Sequence, residues 1–248
     1  MSEQTIIYGV PFSQPVRAVM WLMLYKQMPF ELVLTNPGSK GENGTRHPSY
    51  LAKNPGGTIP LLEEADGYVL SEAHAIMCYL SNKYGWHDVY PEDPKLRGKV
   101  DWYLNFHHRN VRDASLGLVA PKIRKDLDIP ELMQTNAQAT LTNALRGLND
   151  GWLAESAFLC GDTVTLADLA AYVEIGQCRA EFTNVYDFSP FPKVAAWLDT
   201  MRGVEGHDVV HTVLAELGDI SQEAPSMETI KSANINALKA LKARLAAL

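Results

Sequence analysis

The 248-residue chain has few cysteines, no long apolar run and no excess of positive charge. Its three cysteines, Cys78, Cys160 and Cys178, are odd in number, far apart and set in apolar, helix-like stretches. That pattern predicts buried free thiols in a reducing compartment and argues against a disulfide framework, a metal site or a redox pair. No apolar segment approaches the ~20 residues that cross a bilayer, so no membrane association is expected. With 22 basic against 29 acidic residues the net charge is -7, and no Lys/Arg cluster interleaves with aromatics, so a nucleic-acid partner is not expected. The first residues, from Met1 to Gln4, form neither a basic stretch nor an apolar one, and a cytoplasmic location is expected rather than secretion. There is no internal repeat and no low-complexity run.

What is present is ample material for a core, since 46% of residues are apolar, enough for one large domain or two modest ones. Residues 5–10 and 30–35 read as strands. Between them Val16, Val19, Met20, Met23 and Leu24 recur at helical spacing, making a βαβ unit. A Gly/Asn/Lys/Pro-rich loop covers 36–48 and a short helix lies near 49–53. Two short strands, 59–63 and 68–70, flank the turn Ala65-Asp66-Gly67. Ser71 suits the N-cap of a helix carrying Ile76, Met77 and Leu80, with Gly85 past its C-terminal end. The expected organisation is a domain over 1–85, a linker over 86–94 and an all-helical domain over 95–248. Helices are expected at 96–119, 129–154, 166–180 and 191–201. Thr165 and Asp168 fit a capping box, with Val164 and Leu169 as its hydrophobic staple. A helix in 227–248 can pack on the body, cover a site or meet a partner.

Ser13 stands where the first strand passes into the first helix, ahead of Pro15. Unpaired N–H groups and the helix dipole favour an anion there, and a hydroxyl adds a further hydrogen bond. A ligand thiol bound at that point has its pKa pulled down from ~8.5. The alternative is that Ser13 only caps the helix. Asn54-Pro55-Gly56-Gly57-Thr58-Ile59-Pro60 enters a strand with a proline at a position that invites a cis bond, which turns the N–H and C=O of Ile59 outward to pair with a peptide. Glu72, in the first turn of the next helix, can bind an ammonium while adjoining N–H groups take a carboxylate. Together these describe a site for a short peptide with a central thiol and charged ends.

On these residues the chain resembles the cytosolic glutathione transferase superfamily, and the run from Ser13 to Val19 resembles the theta-class active-site turn. The stretch from Val100 to Leu104 and the cap from Thr165 to Asp168 extend the likeness over nearly the whole chain. The resemblance implies an α/β thioredoxin-like N-terminal domain (βαβ-α-ββα) followed by an all-α C-terminal helical bundle. It implies glutathione as co-substrate, a small hydrophobic electrophile, peroxide or organohalide as acceptor, a homodimer, and no metal. By position it implies that Ser13 stabilises the thiolate with Arg112 facing it. Ile59 takes the cysteinyl backbone, Pro60 is the cis-proline, Glu72 holds the γ-glutamyl end and Arg46 meets the glycine carboxylate. Gln14, Thr58 and Ala73 complete the expected binding set.

Ala73 stands where the family usually has Ser or Thr, which weakens binding by roughly 1–2 kcal/mol unless main-chain N–H groups or water compensate. Thr45 replaces a frequent His and Thr58 a frequent Lys or Arg. In the register of classes whose Ser or Cys precedes Pro-Phe, Val10 would occupy the catalytic position; the tail from Gln14 to Val19 favours Ser13. Tyr8 sits inside the strand, too early for the role. Two other functions match part of this pattern. A non-catalytic ligand-binding or assembly module is favoured by Ala73, whereas a thiol-disulfide oxidoreductase lacks the cysteine pair it needs.

Overall fold

The computed structural model describes residues 5–124 and 127–248. β1 (Ile6–Gly9), α1 (Gln14–Tyr25) and β2 (Glu31–Leu34) form the βαβ unit, with β1 and β2 parallel and Tyr8 opposite Val33. A short α2 (Pro48–Leu51) follows, then the hairpin of β3 (Leu61–Glu63) and β4 (Val69–Ser71), and α3 (Ala73–Lys83). β3 runs antiparallel to both β1 and β4, giving the order β2-β1-β3-β4. This is the thioredoxin-like arrangement expected from the sequence.

α1 does more than the periodicity implied. Its predicted stripe is buried, but so are Trp21 and Leu22, because α1 lies between the sheet and the helical half of the chain. It approaches the end of β1 so closely that a Cβ on Gly9 would come within 2.5 Å of the Val16 side chain. Trp21 meets Tyr172, His207 and His211 edge to face, tying the two halves together.

Several boundaries differ from expectation: the helix expected over 129–154 gives way after Gly147 to a π-helical turn (Leu148–Trp152), and the one expected over 166–180 ends at Ile175. Ser71 ends β4 and the N-cap of α3 is Glu72, held at φ 73°, a sparsely populated conformation for a residue with a side chain. Gly85 does take the left-handed conformation past the helix end, at φ 65°. The helix expected over 96–119 is α4 (Pro94–Asn110), capped by Asp93, followed by a break and a π-helical turn (Ser115–Val119) leading into α5 (Ala120–Ile123). The turn is wound that way where Gly117 packs on α6 (Glu131–Gly147), so tightly that an added Cβ would collide with Ala137.

α7 (Leu166–Ile175) is buried along its whole length. Its start is the expected capping arrangement, elaborated by tertiary contacts. The Asp168 carboxylate accepts from the Thr165 N–H (2.9 Å) and hydroxyl (3.0 Å), the Leu159 N–H (2.8 Å) and the Trp197 indole (3.0 Å). α8 (Pro192–Met201) follows, then α9 (His207–Leu217), which was not foreseen, and α10 (Met227–Leu245), which packs along α9. Among the described residues the three cysteines are free. No helix there is long and apolar enough to cross a membrane, and no group of side chains is suited to a metal ion.

Candidate active site

A cavity of about 210 Å³ opens between the two halves of the chain. One wall is Pro15 and Ala18 of α1, the segment from Thr58 to Pro60, and the start of α3 from Glu72 to His74. The other wall is His107, His108 and Arg112 from the end of α4, with Ala170, Val173 and Glu174 of α7 at its base. Of the residues singled out from the sequence, Thr58, Ile59, Pro60, Glu72, Ala73 and Arg112 line this one space.

Ser13 is not part of that lining and stands two positions before Pro15, at the start of α1. It occupies the N-cap position of α1 with extended backbone (φ -69°, ψ 123°), yet its hydroxyl makes no capping hydrogen bond. The half-buried oxygen therefore stays available, next to the orphan N–H groups of the helix start. The main chain around it is held firmly. The Ser13 N–H donates to the Val10 carbonyl (3.0 Å), and the Phe12 N–H donates to Asn234 Oδ1 of α10 (3.1 Å). The Phe12 carbonyl accepts from Arg17 Nη1 (2.6 Å). Arg17 is fully buried, its other donor reaching the Val173 carbonyl at 3.0 Å; burial lowers it to about 10, so it remains a cation at neutral pH. Gln14, by contrast, turns away from the cavity and donates to Gln177 Oε1 (2.7 Å).

The Ile59–Pro60 bond is cis. Thr58 is fixed from below, its carbonyl accepting from the Tyr50 hydroxyl (2.5 Å) and Asn54 Nδ2 (2.9 Å). Among the described residues neither the N–H nor the C=O of Ile59 has a hydrogen-bond partner, as a docking strand requires. Arg46 is exposed, outside the cavity lining, and its guanidinium lies over Gly57, in the space a side chain there would fill. Glu72 projects an exposed carboxylate, while the buried Ala73 brings no hydrogen-bonding group.

Arg112 follows the end of α4, where its N–H still reaches the His107 carbonyl (3.0 Å). Its Nη1 donates to Glu174 Oε1 at 2.7 Å. Glu174 is 2% exposed and also receives the Ser115 hydroxyl, which in turn accepts from Gln177 Nε2 (2.6 Å). The same carboxylate supports Arg17 electrostatically, so one buried anion serves two guanidinium groups from different halves of the chain. Sequence reasoning missed Glu174, Asn234 and the histidines His74, His107 and His108. The histidines left a trace: His74 adjoins Ala73, and His108 lies one helical turn before Arg112.

Residues 7–92 match the glutathione S-transferase N-terminal domain model, and residues 113–205 match the corresponding C-terminal domain model. Human glutathione S-transferase theta-1 is 31% identical over 87% of this chain and 91% of its own length. Glutathione S-transferase T2 of Arabidopsis thaliana is 31% identical over 90% of this chain, which spans only 39% of that longer protein. The crystal structure of human glutathione transferase theta-2, in complex with glutathione, superposes with a TM-score of 0.76 at 28% identity, covering 98% of both chains. With its thioredoxin-like half, its helical half and a cleft between them, the chain belongs to the glutathione S-transferase family, in which it is theta-like.

Proposed function

We propose that glutathione lies along Ile59 with its thiol at Ser13, its γ-glutamyl end at Glu72 and the start of α3, and its glycine end toward Arg46. The uncommitted hydroxyl of Ser13 carries this reading, because no capping bond fixes its oxygen and its O–H is free to turn and donate to a ligand. A thiolate at that point meets the Ser13 hydroxyl, the open N–H groups of α1 and the field of the buried Arg17 cation. Lowering the thiol pKa by ~2 units takes about 2.7 kcal/mol, within reach of one charge-assisted hydrogen bond and a helix dipole.

An acceptor entering beside Val10, Phe12 and α10 is then attacked by the thiolate, which either forms a thioether at an electrophilic carbon as the bond to its leaving group breaks, or takes one oxygen of a peroxide as the O–O bond breaks, giving a sulfenic acid and, after protonation, an alcohol. Arg112, tethered to Glu174, supplies positive potential on the opposite wall. We assign 1–85 to the glutathione-binding domain, 86–94 to the linker and 95–248 to the helical domain. Exposed Trp102 and Leu96 on α4 support a homodimer, which sedimentation velocity tests directly. Free thiols that burial drives upward, Cys78 to about 11 and Cys160 to about 12, suit a reducing cytoplasm.

The test follows the ultraviolet absorbance of bound glutathione thiolate against pH. The wild type should titrate well below free glutathione, and Ser13→Ala should move that titration up by about 1–2 units. A bound thiol that titrates as in free solution, or a variant that behaves like wild type, removes Ser13 from the mechanism.

A further inference from the structure

Ala73 leaves the γ-glutamyl end of the proposed glutathione site without a side-chain donor, since the start of α3 offers only main-chain N–H groups and the Glu72 carboxylate repels an anion. The opposite wall of the same cavity is rich in donors. His108 on α4 is exposed, and among the described residues its imidazole has no hydrogen-bond partner. Its ring lies 4.6 Å from that of His74, the neighbour of Ala73, which places His108 across the cleft from the missing hydroxyl. Below it His107 is 3% exposed, and its Nδ1 has no partner among the described residues, as is also true of His74 Nδ1. Buried polar atoms left open along a cavity wall mark a place where a polar ligand or its water belongs.

We propose that His108 is a glutathione-binding residue that donates a hydrogen bond to the α-carboxylate of the γ-glutamyl group, taking over from α4 the task a hydroxyl at position 73 would perform. The inference rests on the placement of glutathione proposed above and adds a recognition element from the helical half. Burial holds His74 neutral, with a pKa of about 4, so it fills the space beneath the carboxylate without competing for it. Arg112, one turn further along, is already bound to Glu174. His108 is thus the exposed side chain on that wall with no hydrogen-bond partner among the described residues.

The experiment measures binding of glutathione, and of its analogue with γ-aminobutyrate in place of γ-glutamate, by calorimetry. His108→Ala should weaken glutathione about tenfold or more, as loss of a hydrogen bond to a charged group does, and leave the analogue within about twofold. His108→Gln, which keeps an N–H donor, should recover most of the affinity. In an Ala73→Ser background the His108→Ala loss should shrink to about twofold, because the two donors serve one carboxylate. Equal losses for glutathione and the analogue, or no loss for either, overturn the assignment while leaving the Ser13 reading intact. A wild type that binds no glutathione overturns both.

Discussion

Replacing Glu174 by Gln removes one negative charge with almost no change of shape, from a site where that charge is shared. The carboxylate is 2% exposed and accepts from Arg112 at 2.7 Å, from Ser115 and, in field if not in contact, from Arg17. At an effective dielectric of ~20, a pair of charges about 4 Å apart is worth about 4 kcal/mol, and loss of one partner from a buried pair costs about 3–5 kcal/mol. Relief of the desolvation that Glu174 itself bears offsets part of this, so we expect a net loss of about 3 kcal/mol. For a chain of this length that corresponds to a fall of about 6–12 °C in Tm. Calorimetry of Glu174→Gln provides the measurement. The double variant with Arg112→Met should restore part of the loss, because it removes one of the two stranded cations. Because Arg17 also holds the Phe12 carbonyl, kcat should fall more than KM for glutathione rises. A Tm within about 2 °C of wild type would show that the two guanidinium groups do not depend on Glu174, and the buried-anion account would be wrong.

Two further outcomes are expected. Burial depresses His74 to about 4 and holds His107 and His211 well below the ordinary imidazole range, whereas all three titrate near 6.5 once unfolded. As pH falls below about 6.5 the unfolded chain binds protons that the folded chain refuses, so stability is full above that pH and drains down to about 4, by about 3 kcal/mol from His74 alone. Urea midpoints that stay level between pH 7 and 5 would contradict this. The second concerns α10: Asn234→Ala removes the acceptor of the Phe12 N–H and should lower kcat/KM by about tenfold while leaving Tm nearly unchanged. A variant that loses stability but keeps its turnover would make α10 a packing element alone.

Much of this protein was legible along the chain because the relevant signals are local. Pro15 and the apolar spacing behind it place Ser13 at a helix start, Asp66-Gly67 closes a hairpin, and Thr165 and Asp168 cap a helix three residues apart. Such features need only a few neighbouring residues and carry their own geometry. α9 was missed because Val209, Val210 and Val213 have weak helix preference, and their burial comes from α1 and α10. The π-helical turn that follows α4 packs Gly117 against Ala137, on another helix, a contact no local pattern announces. Whether Ser13 caps its helix or faces a ligand was likewise undecidable from spacing. The sequence by itself determined the order of most elements and the position of Ser13 at the start of α1. Only the tertiary structure decided which side chains are spent and which remain free. Gln14 is taken by Gln177 and Arg112 by Glu174, across 163 and 62 residues, while Ser13 and His108 keep their donors open at the cleft. Those commitments are made between residues far apart in the chain, across the two halves for Gln14 and within the helical half for Arg112, where proximity is set by packing and leaves no periodic trace in the sequence.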